Sequence, residues 1–180
     1  MNSQTILGIM QNDIMDSLLT AQQQRLLDTL LDKLDGMIYR CLYDDSWTMI
    51  YVSKGCEMLT GYTPPELLLN KDISYESMTH PDDRDRVRLI IAEALAKRER
   101  FQLEYRIVRA NGDFLWVAER GSGVFDDDGQ PVALEGIIQD ISNRKHIEQA
   151  LFSTEQKYRS MFDNSTLGMF QTTESGTYLN

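Results

Sequence analysis

Cysteine, histidine and proline are scarce in this chain of 180 residues, which holds two cysteines, two histidines and four prolines. Two cysteines cannot form the disulfide framework of a small secreted protein. The two histidines, His80 and His146, leave too few ligands for a metal cluster and too few bases for histidine-dependent catalysis. We therefore expect no metal site and no histidine-based catalytic centre.

Positive charge and long apolar runs are lacking as well. The formal net charge is −10 and the pI is about 4.6, so the surface would repel phosphate backbones and offers no basic patch for anionic lipid. Apolar runs such as 67–69 are far too short to span a bilayer. The sequence has neither a P-loop nor a nucleophile elbow. We expect a reduced cytoplasmic segment with no nucleic-acid partner, no membrane span and no enzymatic activity.

Apolar residues recur with a helical period within residues 1–35. The stripe consists of Met15, Leu18, Leu19, Leu26, Leu27, Leu30, Leu31 and Leu34. A stripe this wide must be buried, either by folding back on the same chain or by pairing with a second copy. We assign 1–35 to an amphipathic helix that takes part in dimerisation.

Residues 36–142 carry the pattern of one mixed domain. Two strands are predicted over 37–43 and 48–53, followed by short helices, one of which begins at Pro64 with a capping box formed by Thr63 and Glu66. A longer helix is predicted over 82–98, because its apolar residues share one side and its first turn is acidic.

Three strands complete this domain. Apolar and polar residues alternate over 101–107, which is typical of a half-buried antiparallel strand. Asn111 and Gly112 predict a hairpin turn before a strand over 114–125, and a last strand covers 131–141. Strands in two blocks separated by helices predict an α+β domain: a five-stranded antiparallel sheet with short helices and one long helix on one face, flanked by terminal helices.

Three motifs of this domain resemble those of the PAS family. The stretch 136–145 (GIIQDISNRK) is similar to the closing PAC motif, with Ser142 in place of the usual threonine. The stretch 56–67 (CEMLTGYTPPEL) is similar to the family's first helical segment, and 80–83 (HPDD) matches the lead-in to its long helix. The resemblance covers about 36–145 and implies a sensory domain whose sheet and long helix enclose a ligand pocket.

The resemblance also indicates the side chains that would line this pocket. They are Ile38, Met58, Leu59, Val87, Ile91, Leu103, Tyr105, Trp116 and Ile138. The same residues would serve simply as core, since aliphatic and aromatic side chains at these spacings usually do. If a ligand binds, a small apolar or aromatic molecule is favoured over a sugar or a nucleotide.

Haem and flavin are not expected as cofactors. His80 precedes the long helix, where a cap or turn role is favoured over ligation of haem iron, and His146 is predicted to face solvent. Flavin photosensors of the family place their reactive cysteine in a motif that this sequence lacks. Cys41 and Cys56 are therefore predicted to be small buried hydrophobes.

An exit helix is predicted over 143–162, with Ile147, Leu151, Tyr158 and either Met161 or Phe162 on its apolar side. By resemblance to the family, Asp140 and Arg144 form an ion pair across Ser142 and relay a signal from the last strand to this helix. The alternative is an exposed pair worth about 0–1 kcal/mol.

Residues 163–180 resemble the start of a second PAS domain. The stretch 158–170 (YRSMFDNSTLGMF) is similar to the family's opening segment, and 177–180 echoes 50–53. Because two isolated strands cannot hold a core, we expect 168–180 to be disordered or paired with a neighbour.

These observations predict a sensory and dimerisation module of a bacterial-type signalling protein. The expected parent is a sensor histidine kinase, or a diguanylate cyclase or phosphodiesterase, with the output domain further along the same chain. The expected partners are a second copy, bound through the terminal helices, and a small apolar ligand. A ligand-free protein-interaction scaffold is the alternative.

Overall fold

A computed structural model describes residues 36–163, 171–172 and 178–179 of this protein. Its main feature is a sheet in which buried and more exposed side chains alternate along the strands. The five strands are β1 (Met37–Leu42), β2 (Met49–Val52), β3 (Phe101–Val108), β4 (Phe114–Phe125) and β5 (Pro131–Asp140). Their order across the sheet is β2-β1-β5-β4-β3, and every neighbouring pair is antiparallel. The predicted five-stranded antiparallel sheet is confirmed, with β5 at its centre.

Four helices connect β2 to β3. They are α1 (Cys56–Thr60), α2 (Pro64–Leu67), α3 (Tyr75–Met78) and α4 (Pro81–Lys97). The predicted capping of α2 is confirmed, since the Glu66 carboxylate accepts a hydrogen bond from the Thr63 backbone N–H at 2.7 Å. Helix α3 begins after Ser74, whose hydroxyl accepts from the Ser77 N–H at 3.2 Å.

The core lies between the long helix α4 and the inner face of the sheet. Val87, Ile91 and Leu95 of α4 are at most 4% exposed, as their helical spacing predicts. Every second residue of β3 from Phe101 to Ile107 is also buried, and the residues between them lie on the outer face. Burial of these side chains is the main force that holds α4 to the sheet.

Asp83 fixes the start of α4 against β3. Its carboxylate accepts hydrogen bonds from the Arg106 backbone N–H at 2.9 Å and from two guanidinium nitrogens at 2.8 and 3.0 Å. The arginine lowers the pKa of Asp83, chiefly through these side-chain hydrogen bonds. This pair therefore joins helix and sheet by a charged contact as well as by apolar packing.

The chain divides after Ile141, and the second unit begins with helix α5 (Ser142–Asp163). Two short antiparallel strands follow, β6 (Gln171–Thr172) and β7 (Tyr178–Leu179). The predicted second PAS domain and the expected disorder over 168–180 stay predictions, because 164–170, 173–177 and residue 180 lie outside the described residues. The dimerisation helix predicted over 1–35 lies outside them too. Within the described ranges, no helix is long and apolar enough to cross a bilayer.

Candidate functional site

The interior between the sheet and the helices holds a cavity of about 10 Å³, roughly the space that one water molecule needs. Four of the predicted pocket residues line it, namely Val87, Ile91, Tyr105 and Ile138. Leu59 and Leu103 are each 4% exposed and belong to the surrounding core. The position of these residues agrees with the predicted pocket wall, but the space they enclose is very small.

Three of the predicted pocket residues do not face this interior. Ile38 and Trp116 lie on the outer face of the sheet, because Met37 and Tyr39 take the inward positions of β1, and Leu115 and Val117 take those of β4. Met58 points to solvent with 79% of its surface exposed. The assignment of these three side chains to the pocket was wrong.

An open groove of about 1060 Å³ runs along the outer face of the sheet. Ile38 and Ile137 form part of its floor, and three arginines, Arg40, Arg100 and Arg120, lie along it. The groove is a surface feature, with an acidic residue, Glu135, among the arginines. The groove is much larger than the internal cavity, but it is open to solvent and does not enclose a small molecule.

A buried carboxyl group, Glu119 of β4, faces the internal cavity. It is 4% exposed, and its two oxygens accept hydrogen bonds from the phenol groups of Tyr39 and Tyr105, the latter at 2.7 Å. The Tyr105 hydroxyl lies 3.0 Å from that of Tyr75 in α3. This Glu119–tyrosine cluster therefore links β1, β3, β4 and α3 by side-chain hydrogen bonds.

Burial changes the acidities within the Glu119–tyrosine cluster. Desolvation raises the pKa of Glu119, opposed by the hydrogen bonds from Tyr39 and Tyr105. Desolvation, followed by the nearby charge of Glu119, also raises the pKa of Tyr39, Tyr75 and Tyr105 well above the usual value of a phenol. The three tyrosines consequently remain protonated hydrogen-bond donors at every ordinary pH.

Of the Glu119–tyrosine cluster, only Tyr105 was among the predicted pocket residues. One signal was present: Glu119 continues the period of two set by Leu115 and Val117, so an inward orientation follows from the alternation itself. Tyr39 and Tyr75 carried no such signal, since they meet Glu119 only through the topology of the sheet and the placement of α3.

The histidine and cysteine predictions can be compared directly with the structure. His80 is the N-cap of α4, and its Nδ1 atom accepts a hydrogen bond from the Asp82 N–H at 3.3 Å, which confirms the predicted cap role. His146 is exposed, as predicted. Cys41 and Cys56 are buried and unpaired, and desolvation raises the pKa of both thiols, that of Cys56 to about 12. Their predicted role as buried hydrophobes is confirmed.

Helix α5 presents the predicted apolar row to solvent. Ile147, Leu151 and Tyr158 are 61%, 69% and 53% exposed. Arg144 forms an ion pair with Glu148 one turn further along, at 3.0 Å, a spacing that supports a helix by about 0.2–0.5 kcal/mol. The predicted pair of Asp140 and Arg144 joins residues of two separate units and stays a prediction.

A protein family and several known proteins are similar to this chain in sequence. A family model described as the PAS fold matches residues 49–138. A methyl sulfide methyltransferase-associated sensor of Methanosarcina acetivorans is 32% identical over 111 residues, which are 61% of this chain and 11% of the relative. The probable diguanylate cyclase DgcE of Escherichia coli is 28% identical over 101 residues, which are 56% of this chain and 9% of the relative. The chain therefore spans only about a tenth of the length of these two curated relatives.

Solved structures agree with the family match. The crystal structure of a sensory box histidine kinase/response regulator from Burkholderia thailandensis has a TM-score of 0.62 and 27% identity, covering 74% of this chain and 98% of that one. A PAS domain from Colwellia psychrerythraea, at 20% identity and a TM-score of 0.56, shares the fold. Because the family model covers half of the residues and the predicted sheet is in place, this chain belongs to the PAS family.

Proposed function

We propose that this chain is a sensory and dimerisation module that passes a conformational change from its sheet into helix α5. The observation that carries the proposal is the exposed apolar row of α5, on a helix that begins at Ser142, directly after the central strand β5. A helix with such a row gains stability by burying it against a second helix.

The spacing of this row suits a parallel pair of helices. Ile147, Leu151, Thr154 and Tyr158 follow one another at intervals of four, three and four residues, the alternation of a heptad seam. In two copies joined along this seam, a change at β5 would rotate or shift the paired helices together. Asp140, Ser142 and Arg144 lie at the junction where such a change would enter α5.

The output of the parent protein would then lie beyond this segment. A relative named as a probable diguanylate cyclase and a solved structure named as a sensory box histidine kinase/response regulator support a parent of the histidine kinase or cyclase type. In this proposal α5 is the connection between the sensory domain and that output domain, and the fragment itself carries out no reaction.

Cysteine cross-linking of α5 tests the proposal. Leu151→Cys is expected to give a covalent dimer under mild oxidation, because the two copies of a seam position face each other. Gln149→Cys, two residues away on another side of the helix, is the matched control and is expected to cross-link at least about fivefold less. The native cysteines are buried and contribute little. Equal cross-linking of both variants, or a strictly monomeric mass by light scattering at high protein concentration, would contradict a dimer through α5.

A second function, the ligand-free interaction scaffold, is favoured by the size of the interior. A cavity of about 10 Å³ leaves no room for a small organic molecule. Native mass spectrometry of the purified chain is expected to give the mass of the polypeptide without a bound small molecule. A co-purified organic ligand would rule out the scaffold function and support the apolar-ligand hypothesis.

A further inference from the structure

Glu119 is a buried carboxyl group whose contacts, within the described part of the chain, are all uncharged. Its hydrogen-bond partners are Tyr39 and Tyr105. The other ionisable side chains that face the cavity are Cys41 from β1 and Tyr75 from α3, while α4 and β5 contribute only aliphatic groups. A negative charge placed there would lack a cationic partner, and such burial is costly.

The tyrosine hydroxyls can satisfy the ionised form of Glu119, because they can donate hydrogen bonds to both of its oxygens. Tyr39 donates to one carboxylate oxygen and Tyr105 donates to the other. The Tyr105 oxygen is then free to accept the proton of the Tyr75 hydroxyl, which lies 3.0 Å away. All three phenol protons thus point along the chain of hydroxyls toward the carboxylate, and each has an acceptor.

The protonated form requires a different arrangement. If the Glu119 oxygen nearer Tyr105 carries a proton, it donates to the Tyr105 oxygen, and the Tyr105 hydroxyl must turn to donate to Tyr75. The Tyr75 hydroxyl then needs a new acceptor. The cavity of about 10 Å³, which Tyr75 lines, can take one water molecule as that acceptor. Uptake of a proton on this oxygen of Glu119 therefore changes the hydrogen bonding at α3.

We propose that Glu119 is a proton-binding site, and that its protonation reverses the hydrogen-bond chain through Tyr105 to Tyr75 and so transmits pH to helix α3. In this inference, pH is the cue for the sensory function proposed above. The role of pH as a cue rests on that proposed function, whereas the proton site itself does not. Solvent supplies the proton, which forms a covalent bond to a carboxylate oxygen of Glu119. The tyrosine hydroxyls only reorient, so no other covalent bond is made or broken.

The expected direction of the pH effect follows from the environment of Glu119. Because desolvation raises its pKa in the folded state, folding favours the protonated form. Its contribution to stability is complete below about pH 4.3, the usual value for glutamate. This contribution is lost as the pH rises through the raised pKa of the folded protein. Acidification over that window should load the site with a proton without unfolding the domain.

Methyl NMR of the whole chain tests the inference. The carboxyl carbon of Glu119 is followed with labelled glutamate from about pH 4 to about pH 9, together with methionine methyl groups. Met49, on the cavity wall, and Met78, at the end of α3, are expected to shift with the same midpoint as Glu119. Met58, exposed on α1, is the internal control and should not follow that midpoint.

Variants separate the transmitting step from the binding step. Glu119→Gln should abolish the shifts at Met49 and Met78. Tyr75→Phe should leave the titration of Glu119 in place and reduce the Met78 shift at least about twofold. Tyr39→Phe should move the Glu119 midpoint to higher pH, because the hydrogen bond from Tyr39 lowers that pKa. His80→Asn replaces the imidazole two residues after Met78 by another N-capping side chain and should change none of these results.

Two results would overturn the proton site. One is a Glu119 midpoint at or below about pH 4.3, the value of an unperturbed glutamate. The other is a Met78 shift that persists unchanged in Glu119→Gln or, should that variant not fold, a Glu119 midpoint that Tyr39→Phe leaves unmoved. Failure of the relay gives a different result. The ratio of cross-linking in Leu151→Cys to that in Gln149→Cys would then be the same at both ends of the titration, while the methyl shifts remain.

Discussion

Ile91→Ala is expected to lower the free energy of unfolding by about 2–5 kcal/mol, the usual effect of truncating a fully buried aliphatic side chain. Ile91 is 2% exposed, at the centre of the face that α4 presents to the sheet, and it lines the internal cavity. Removing its outer carbon atoms adds empty volume to the internal cavity, and the surrounding core relaxes only in part. Urea denaturation followed by circular dichroism measures the loss.

Leu89→Ala is the matched control for this change. Leu89 lies two residues earlier on the same helix and is 60% exposed, so its truncation should change the free energy of unfolding by no more than about 0.5 kcal/mol. Equal losses for the two variants would mean that α4 does not bury the face described above, and would contradict the packing of this helix against the sheet.

Gly136→Ala is expected to cost about 3 kcal/mol or more, or to prevent folding. Gly136 lies in β5 opposite Tyr39 of β1 and Gly121 of β4. An added methyl carbon would lie 2.3 Å from the Arg120 carbonyl oxygen and 2.8 Å from the Gly121 Cα atom. Both are backbone atoms held in the ladder, so relief requires that the pairing of β4 and β5 give way.

Gly112→Ala provides the comparison, because the same methyl group would meet no atom within 4 Å there. Its backbone angle φ of +86° still favours glycine, and a cost of about 1 kcal/mol is expected. Amide NMR spectra and thermal unfolding distinguish the two variants. A Gly136→Ala protein as stable as Gly112→Ala would show that the close approach of β4 and β5 is not needed for folding.

The extent of the sheet could be predicted from local patterns. The alternation over 101–107 gave β3, the Asn111–Gly112 turn was followed by β4, and the order of the elements gave the fold class. These features depend on neighbours in the chain, whose influence can be read directly from the sequence. The same reasoning placed Val87 and Ile91 on the inner side of α4.

The inward face of β1 and β4 could not be decided in the same way. Met37, Ile38 and Tyr39 are all apolar or aromatic, and so are Leu115, Trp116 and Val117. A strand with such residues on both faces fits the core in either orientation, and a shift of one residue exchanges the two faces. Only the pairing with β5 and β3 determines that Ile38 and Trp116 face outward.

The Glu119–tyrosine cluster was beyond local prediction for a different reason. Tyr39 and Glu119 are 80 residues apart in the chain and meet on the inner face of the sheet, across the central strand β5. An acidic residue is normally expected at the surface, and the partners that make its burial tolerable come from β1 and β3, and indirectly from α3. Their convergence is a property of the strand order β2-β1-β5-β4-β3, which composition does not reveal.

The central place of β5 has a mechanical consequence. The segment that leaves the domain continues from the strand that is hydrogen-bonded on both sides, to β1 and to β4. Amide hydrogens of such a strand exchange with solvent mainly when the whole domain opens, whereas edge strands fray at much lower cost. A tether attached to an edge could be released by local melting. A tether attached to β5 instead stays anchored for as long as the domain is folded, so the relay proposed above would not depend on local unfolding.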